Sequence, residues 1–318
     1  MKKALTIFLF VFILAIASFL LYFKWQISRT MAGSGKKMEV KIEKGESTPE
    51  IAENLEGKNL ITSKTVFYLY MKFKEKTIKA GDYLLPNNLS IVQIAGILEN
   101  SEHQVKKIII PEGWRNEQIA VYLSQHAELP PDEFLVAAKG NEGKLFPDTY
   151  DLTDEPTVSE VIGKMSDDYN KRTASLEVSE DTLILASIVE REAANDAERA
   201  DIAGVFANRL KLGMKLEADP TVQYQKDTNN YPSAELLNFK FWQKLESGDF
   251  KKIQGAYNTY QNLGLPPAPI CNPGLVSIKA ALSPSKHNYY YFFHDADGKI
   301  YFSTTQAEQS AKEKLYLK

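Results

Sequence analysis

The stretch Leu183-Ile184-Leu185-Ala186-Ser187-Ile188-Val189-Glu190-Arg191-Glu192 decides the fold of the second half of the chain, because its composition and length favour a helix. At about 100° per residue, its apolar side chains form a stripe centred on Ile184, Leu185, Ile188 and Val189. Glu192 falls within that stripe, whereas Glu190 points almost the opposite way. The pattern therefore predicts a helix that carries one carboxylate among its core-facing residues.

This carboxylate, Glu192, is a candidate for acid chemistry. A carboxylate among apolar side chains is costly to ionise, so its pKa is expected to rise from about 4.3 towards neutrality. A carboxyl that is protonated near pH 7 is what a general acid requires. Two structural interpretations stay open: Glu192 emerges at the exposed last turn of the helix, or it forms a buried ion pair with an arginine such as Arg209.

The residues after Glu192 predict two further helices. Asn195 followed by Glu198 indicates a capping box, and Gly213 ends that helix. Asp219-Pro220 indicates an N-cap followed by a proline at the first helical position, so capping is the default role of Asp219 and substrate contact is the alternative. Helices that meet just after Glu192 would form the wall of a cleft.

The region after residue 256 is dense in aromatic and amide groups. Tyr257-Asn258-Thr259-Tyr260 and Gly264-Leu265-Pro266-Pro267 predict a rigid loop whose side chains could stack on and hydrogen-bond sugars, or could simply be packed tyrosines. Residues 289–293 and 300–302, joined through Asp297-Gly298, predict a β-hairpin that serves as scaffold.

Composition narrows the function class. The 318 residues predict two folded units plus appendages, at roughly one domain per 150 residues. A net charge of -3 with intermixed signs lacks the basic excess that nucleic-acid binding needs, and a neutral polymer suits it better. The single cysteine, Cys271, cannot form an internal disulfide, and we expect no metal or cofactor. The histidines are expected to be ordinary surface or loop residues; they are His103, His126, His287 and His294.

The N-terminus carries an apolar segment from Ala4 to Phe23, whose twenty residues at about 1.5 Å each match the hydrocarbon thickness of a bilayer. Lys2 and Lys3 before it, and Ala15-Ile16-Ala17 within it, would also fit a cleaved signal peptide. The apolar run continues past that cleavage point, which favours an uncleaved anchor. Residues 1–23 are therefore predicted as the membrane segment and 24–37 as a flexible linker.

Residues 38–110 predict an α+β unit in the order strand, helix, helix, strand, followed by a third helix and a further strand from Gln104 to Ile110. Ser47 or Thr48, Ser63 and Ser90 are the expected helix caps, and Gly57 is expected to close the first helix. The arrangement loosely resembles LysM, a carbohydrate-binding module of bacterial walls. The alternative is a packing domain without a sugar site.

Several ordered blocks of sequence resemble the MltG (YceG-like) endolytic transglycosylases. They cover the chain from about residue 40 to the C-terminus. The blocks are Leu145-Phe146-Pro147-Asp148-Thr149-Tyr150, residues 185–192, Glu198-Arg199, residues 205–210, Gly213-Met214, Leu216, residues 219–222, residues 257–260, residues 264–267 and Asn272-Pro273-Gly274. Arg191 departs from the family pattern, in which lysine is common.

The resemblance implies a membrane helix, a LysM-like subdomain and a mixed α+β catalytic domain over residues 111–318. It implies that Glu192, the second glutamate of Glu-x-Glu, is the catalytic acid, with the exposed Glu190 as alternate candidate. The predicted substrate-binding residues are Glu190, Asn208, Asp219, Tyr224, Asn258 and Tyr260.

The implied reaction cleaves the bond between N-acetylmuramic acid and N-acetylglucosamine in nascent peptidoglycan and leaves a 1,6-anhydromuramic end, without water, metal or cofactor. It would terminate strand elongation at the bacterial cytoplasmic membrane, with the catalytic domain on the extracytoplasmic side and penicillin-binding synthases as partners. Two alternatives remain open: a non-catalytic wall-binding scaffold, and an inverting hydrolase with Glu192 as acid and Asp219 as base.

Overall fold

The chain folds as two compact units, Met1–Lys107 with Asp151–Glu155, and Ile108–Tyr150 with Pro156–Lys318. The computed structural model describes residues 2–100, 105–153, 156–231 and 233–317. Helices dominate, and the strands form short two-stranded sheets. The predicted α+β class with an N-terminal apolar helix is therefore confirmed. His103 and the predicted start of a strand at Gln104 lie outside the described residues.

The first unit places a small sheet beside helices. Its elements are α1 (Lys2–Ser28), β1 (Lys37–Ile42), α2 (Thr48–Gly57), α3 (Lys64–Phe73), β2 (Gly81–Pro86) and α4 (Ile91–Asn100). β1 and β2 pair antiparallel, and alternate side chains from each face the core: Val40, Ile42, Tyr83 and Leu85. The predicted strand, helix, helix, strand order is confirmed.

Side-chain caps fix where these helices begin, as the sequence predicted. Ser47 and Glu50 form a capping box at α2, in which the Ser47 N–H donates to the Glu50 carboxylate at 2.9 Å. Ser63 accepts the Val66 N–H at the start of α3, and Ser90 accepts the Gln93 N–H at the start of α4. Each cap satisfies an amide that the helix leaves unpaired.

Helix α1 is longer than predicted. The sequence placed the end of the apolar helix at Phe23, but α1 continues to Ser28, and Phe23 and Ile27 pack against the core of the first unit. The Thr62 hydroxyl also donates to the Gln26 amide oxygen at 3.2 Å. Residues 24–28 are therefore helix, which corrects the predicted linker.

The rest of the predicted linker is also ordered by contacts. Thr30 forms a β-bridge with Ser90, and the Met31 N–H donates to the Leu89 carbonyl at 3.3 Å. A side chain at Gly33 would lie 2.2 Å from the Asn87 carbonyl oxygen, so only glycine fits there. The segment runs along the turn that precedes α4 instead of swinging freely.

The second unit is mainly helical. Its strands β5 (Tyr291–His294) and β6 (Ile300–Ser303) form the predicted hairpin. Two further strands, β3 (Lys106–Ile109) and β4 (Thr149–Leu152), pair with each other, and each has residues in both units. The helices are α5 (Asn116–His126), α6 (Pro131–Ala137), α7 (Val158–Thr173), α8 (Glu180–Glu192), α9 (Arg199–Lys211), α10 (Asp219–Asn230), α11 (Asp249–Lys252), α12 (Leu275–Leu282) and α13 (Gln306–Tyr316).

Helix α8 is buried on every side, not along one stripe as predicted. All seven residues from Leu183 to Val189 are buried, and the helix packs against α9, α10 and α12. Ser187 is fully buried, donates its hydroxyl to the Ile184 carbonyl and accepts the Ile270 N–H at 3.0 Å. Facing direction alone therefore does not distinguish Glu192 from its neighbours.

Glu190 is buried, which corrects its predicted exposure. Its side chain is 5% exposed, and one carboxylate oxygen lies 2.9 Å from the Arg199 guanidinium. The other accepts the Gly274 N–H at 2.9 Å. Both carboxylate oxygens are thus occupied, and Glu190 ties α8 to α9 and to the start of α12.

Asn272 connects three loops of the same unit and is fully buried. Its side-chain oxygen accepts the N–H groups of Gly143 and Leu145 at 2.9 and 3.0 Å. Its amide nitrogen donates to the Trp114 carbonyl at 3.1 Å and to the Asn116 side-chain oxygen at 3.0 Å. A single side chain thereby provides the acceptor for the buried N–H groups of Gly143 and Leu145.

We expect Glu190→Ala to lower the free energy of unfolding by about 3 kcal/mol, because it leaves the Arg199 guanidinium buried without its main counter-charge. Thermal unfolding followed by tryptophan fluorescence measures the change. Glu180→Ala is the matched control on the same helix: the ion pair of Glu180 with Lys144 is exposed, so its loss should cost about 1 kcal/mol or less. Equal losses in the two variants would contradict the structural role of Glu190.

Candidate active site

A cavity of about 260 Å³ opens at the C-terminal end of α8, where α9, the start of α10 and strand β5 approach it. Its lining mixes carboxylates, one arginine, one histidine and aromatic rings. The lining residues are Glu192, Phe206, Arg209, Leu216, Glu217, Asp219, Tyr260, Phe292, Phe293 and His294. The structure thus brings together three of the predicted site residues: Glu192, Asp219 and Tyr260.

Glu192 is the last residue of α8 and is half-buried at the cavity wall. Burial and, secondly, the nearby Asp219 carboxylate raise its pKa to about 8, against the opposing effects of the Asp219 main-chain amide, Arg209 and Arg191. The carboxyl is therefore protonated at neutral pH. This is the protonation state that the sequence argument expected.

Asp219 does not cap its helix, which corrects the capping role predicted for it. The N-cap of α10 is Ala218, so Asp219 occupies the first helical position. Its side chain instead accepts the Tyr260 hydroxyl at 2.7 Å. Burial, together with this bond to a carboxylate, raises the pKa of Tyr260. The hydrogen bond fixes a negative charge beside Glu192.

Arg209 is held away from an ion pair with Glu192, so that interpretation is wrong. Its guanidinium donates to the carbonyls of Leu216 at 2.8 Å and of Tyr290 at 2.6 Å. It also pairs with Glu217 at 3.1 Å. Arg209 thus joins the loop before α10 to the hairpin and shapes the cavity without neutralising Glu192 by direct contact.

His294 is the residue that sequence analysis missed most clearly. It was expected to be an ordinary loop residue and its hairpin a scaffold, but it ends β5 at the cavity wall and its Nε2 lies 3.0 Å from the Glu198 carboxylate. Burial opposes ionisation of Glu198, but hydrogen bonds from His294 and the Ala194 N–H lower its pKa overall. Six consecutive residues with ring side chains, from Tyr289 to His294, were the available signal.

The other predicted binding residues make internal contacts outside the cavity wall. The Asn208 amide donates to the carbonyls of His287 and Tyr289 at 2.9 and 3.0 Å. Asn258 is fully buried and donates to the Ile253 carbonyl at 2.7 Å. The Arg115 guanidinium lies over the Tyr224 ring, 4.0 Å from the ring centroid. Asn208, Asn258, Tyr224 and Glu190 remain predicted substrate contacts, although their hydrogen bonds and ring contacts within the protein do not favour that role.

Geometry favours Glu192 over Glu142, the other carboxyl whose pKa is raised to about 8. Burial and the charge of Glu117 also raise the pKa of Glu142, but that carboxyl accepts the Asn116 N–H at 3.1 Å and does not line the cavity. Larger cavities lie on the first unit, between exposed charged side chains such as Glu50 and Lys64. An acid must reach its substrate, so the half-buried Glu192 at a cavity wall is the better candidate.

Known proteins place the chain in a family. The model of the YceG-like family matches residues 40–314. An endolytic murein transglycosylase of Bacillus subtilis is 30% identical over 96% of this chain and 91% of its own length. One of Streptococcus pneumoniae is 29% identical over 87% of this chain and 58% of its own length. The crystal structure of a yceG-like protein of Listeria monocytogenes covers 88% of this chain at 30% identity, with a TM-score of 0.54. With most of its length matched, the chain belongs to the YceG-like family.

Proposed function

We propose that this chain is a peptidoglycan lytic transglycosylase and that Glu192 is the acid that cleaves the glycan. The observation that carries the proposal is a carboxyl with a pKa of about 8 at the wall of an open cavity. It occurs in a chain whose relatives are named endolytic murein transglycosylases. A protonated carboxyl that substrate can reach is the one group this reaction requires.

The proposed reaction uses Glu192 twice. Its carboxyl first gives a proton to O4 of N-acetylglucosamine, the oxygen that links it to C1 of N-acetylmuramic acid, and the C1–O4 bond breaks. The resulting carboxylate then takes the proton of the muramic 6-hydroxyl while that oxygen bonds to C1. The products are a free 4-hydroxyl and a 1,6-anhydro ring, and Glu192 ends protonated as it began. The second step is intramolecular because the 6-hydroxyl belongs to the same sugar as C1, and this lowers its entropic barrier.

The cavity charges suit both steps. The Asp219 carboxylate, oriented by Tyr260, keeps the proton on Glu192 until substrate arrives. Positive charge that develops at C1 as the bond breaks is stabilised by a nearby fixed carboxylate. Because Arg209 donates to Leu216, Tyr290 and Glu217, it does not draw the proton off Glu192 by a direct ion pair.

A hydrolase in which Asp219 activates water is the catalytic alternative, and a wall-binding scaffold is the non-catalytic one. One Asp219 oxygen is occupied by Tyr260, which favours an orienting and electrostatic role over that of a base. Mass spectrometry of digested glycan distinguishes the three: anhydromuramic ends support the transglycosylase, reducing muramic acid supports the hydrolase, and intact glycan supports the scaffold.

The proposal extends to location and role. Residues Ile7–Ser28 of α1 form a helix long and apolar enough to cross a membrane, although a signal sequence would have the same properties. We propose that α1 is an uncleaved anchor in the bacterial cytoplasmic membrane and that the LysM-like unit and the catalytic unit lie on the extracytoplasmic side of this membrane. Cleavage would then occur where new strands emerge, ending their elongation beside penicillin-binding synthases.

We expect Glu192→Gln to reduce glycan cleavage by a factor of about 10² to 10⁴, the usual contribution of a positioned acid. Release of anhydromuramic products from purified glycan measures this. Glu190→Gln is the control, because it keeps an oxygen for the Gly274 N–H and lies outside the cavity wall. The cleavage rate of its folded fraction should therefore stay within a few-fold of the wild-type rate. Equal loss in both variants would contradict the assignment.

The dependence of melting temperature on pH shows whether the Glu192→Gln variant is folded. Because the pKa of Glu192 is raised in the folded state, the carboxyl contributes stability below pH about 4.5, and this contribution is lost as pH rises through about 8. Glutamine has no such loss. The variant should therefore gain melting temperature relative to wild type between these pH values, and a uniform decrease would indicate damage to the fold.

We expect Asp219→Asn to shift the alkaline limb of the pH–activity profile to lower pH by roughly one unit, because removing the negative charge lowers the pKa of Glu192. Initial cleavage rates across pH 5 to about 10 measure the limb. Tyr260→Phe removes the hydrogen bond but keeps the charge, so its limb should stay in place while the rate falls. An unmoved limb in Asp219→Asn would show that Asp219 does not set the proton affinity of the acid.

We expect protein isolated from cells to retain its N-terminal segment and to fractionate with the cytoplasmic membrane, because the apolar run continues beyond Ala17. N-terminal sequencing of each fraction tests this. A mature protein that begins at Ser18 in a soluble fraction would refute the anchor and leave the enzymatic proposal intact.

A further inference from the structure

The end of α1 has the composition of a membrane–water interface. Tyr22 lies near the end of the apolar stretch, Lys24, Trp25 and Arg29 follow it, and the Arg29 guanidinium lies 5.1 Å from the Trp25 ring centroid. Tyrosine and tryptophan concentrate at the headgroup level, where lysine and arginine can extend into water. If Ala4–Phe23 fills the hydrocarbon, Phe23 lies at its outer edge.

Phe73 lies beside that edge and is largely exposed. It is the last residue of α3, its side chain is 67% exposed, and its ring meets the Phe23 ring edge-on with 6.2 Å between centroids. A phenylalanine left this exposed in water loses most of the free energy that burial would provide. Its position is fixed, because α3 and α1 pack within one unit and Thr62 bonds Gln26.

The residues flanking Phe73 are cationic. Lys72 and Lys74 are both exposed, and the Lys72 ammonium lies 5.9 Å from the Tyr68 ring centroid. Glu75 is the one acid in the run, while Lys76 pairs with Glu99. An apolar ring between exposed lysines matches an anionic bilayer surface, where acyl chains and negative headgroups lie within a few ångströms of each other.

We propose that Lys72-Phe73-Lys74 is a contact with the surface of the bilayer that α1 spans, with the ring at the hydrocarbon edge and the two ammonium groups on anionic phospholipid headgroups. The inference rests on the proposed anchor. Because α1 enters the first unit as a continuous helix, this second contact holds the unit against the membrane and limits its rotation about the α1 axis.

The test uses the full chain reconstituted in phosphatidylcholine vesicles with or without phosphatidylglycerol. A polarity-sensitive fluorophore is attached at Phe73→Cys in a Cys271→Ser background. Asn88→Cys is the matched control: Asn88 is exposed in the same unit, in the turn along which residues 30–36 run after α1 has ended. Quenching by nitroxide on shallow acyl positions is compared with quenching by aqueous iodide.

We expect lipid-borne nitroxide to quench the label at residue 73 at least about twofold more than the label at residue 88, and iodide to show the reverse order. Adding Lys72→Glu and Lys74→Glu should reduce the lipid quenching in vesicles that contain phosphatidylglycerol and leave it unchanged in phosphatidylcholine alone.

Equal iodide access at the two positions would overturn the proposal. So would a label at residue 73 that is shielded from iodide but not quenched by lipid, since this would indicate a protein contact. Flotation of the same vesicles separates this inference from the anchor: protein that fails to float refutes the anchor, whereas protein that floats with residue 73 in water refutes only the surface contact.

Discussion

The burial of α8 from Leu183 to Val189 is the constraint on which the candidate site depends. Three charged residues follow this buried stretch, and each of them needs a partner or a cavity because burying an unpaired charge is costly. Glu190 enters a buried ion pair with Arg199, and the Arg191 guanidinium stacks 4.2 Å above the Trp242 ring centroid. Glu192 receives neither; it meets a cavity and the charge of Asp219. Its high proton affinity therefore follows from burial and from the charge of Asp219.

Sequence predicted what depends on residues close together in the chain. The capping serines, the strands β1 and β2 and the hairpin β5–β6 are local patterns, and the structure has them where expected. The raised pKa of Glu192 was also expected, but for an incomplete reason. Its apolar neighbours were read as one stripe of an amphipathic helix, whereas helix α8 is enclosed by α9, α10 and α12.

Contacts between distant parts of the chain could not be predicted. Tyr260 reaches Asp219 across 41 residues, and His294 reaches Glu198 across 96. Nothing local marks Glu190 as buried, because its partners Arg199 and Gly274 come from two other segments. Asp219 followed by proline has the sequence of a helix cap, but the tertiary bond to Tyr260 takes its carboxylate. The prediction of a flexible linker failed for a similar reason. Composition suggested flexibility, but contacts with residues 87–90 order the segment.

Asn272, which joins three loops of the second unit, is followed by Pro273. An asparagine deamidates when the main-chain nitrogen of the next residue attacks its side-chain carbonyl and expels ammonia. A proline nitrogen carries no hydrogen, so it cannot form that ring. Conversion to aspartate would remove the donor to Trp114 and Asn116 and place a second carboxylate beside Glu142. Pro273 therefore protects the Asn272 side chain, which these loops share, from spontaneous deamidation.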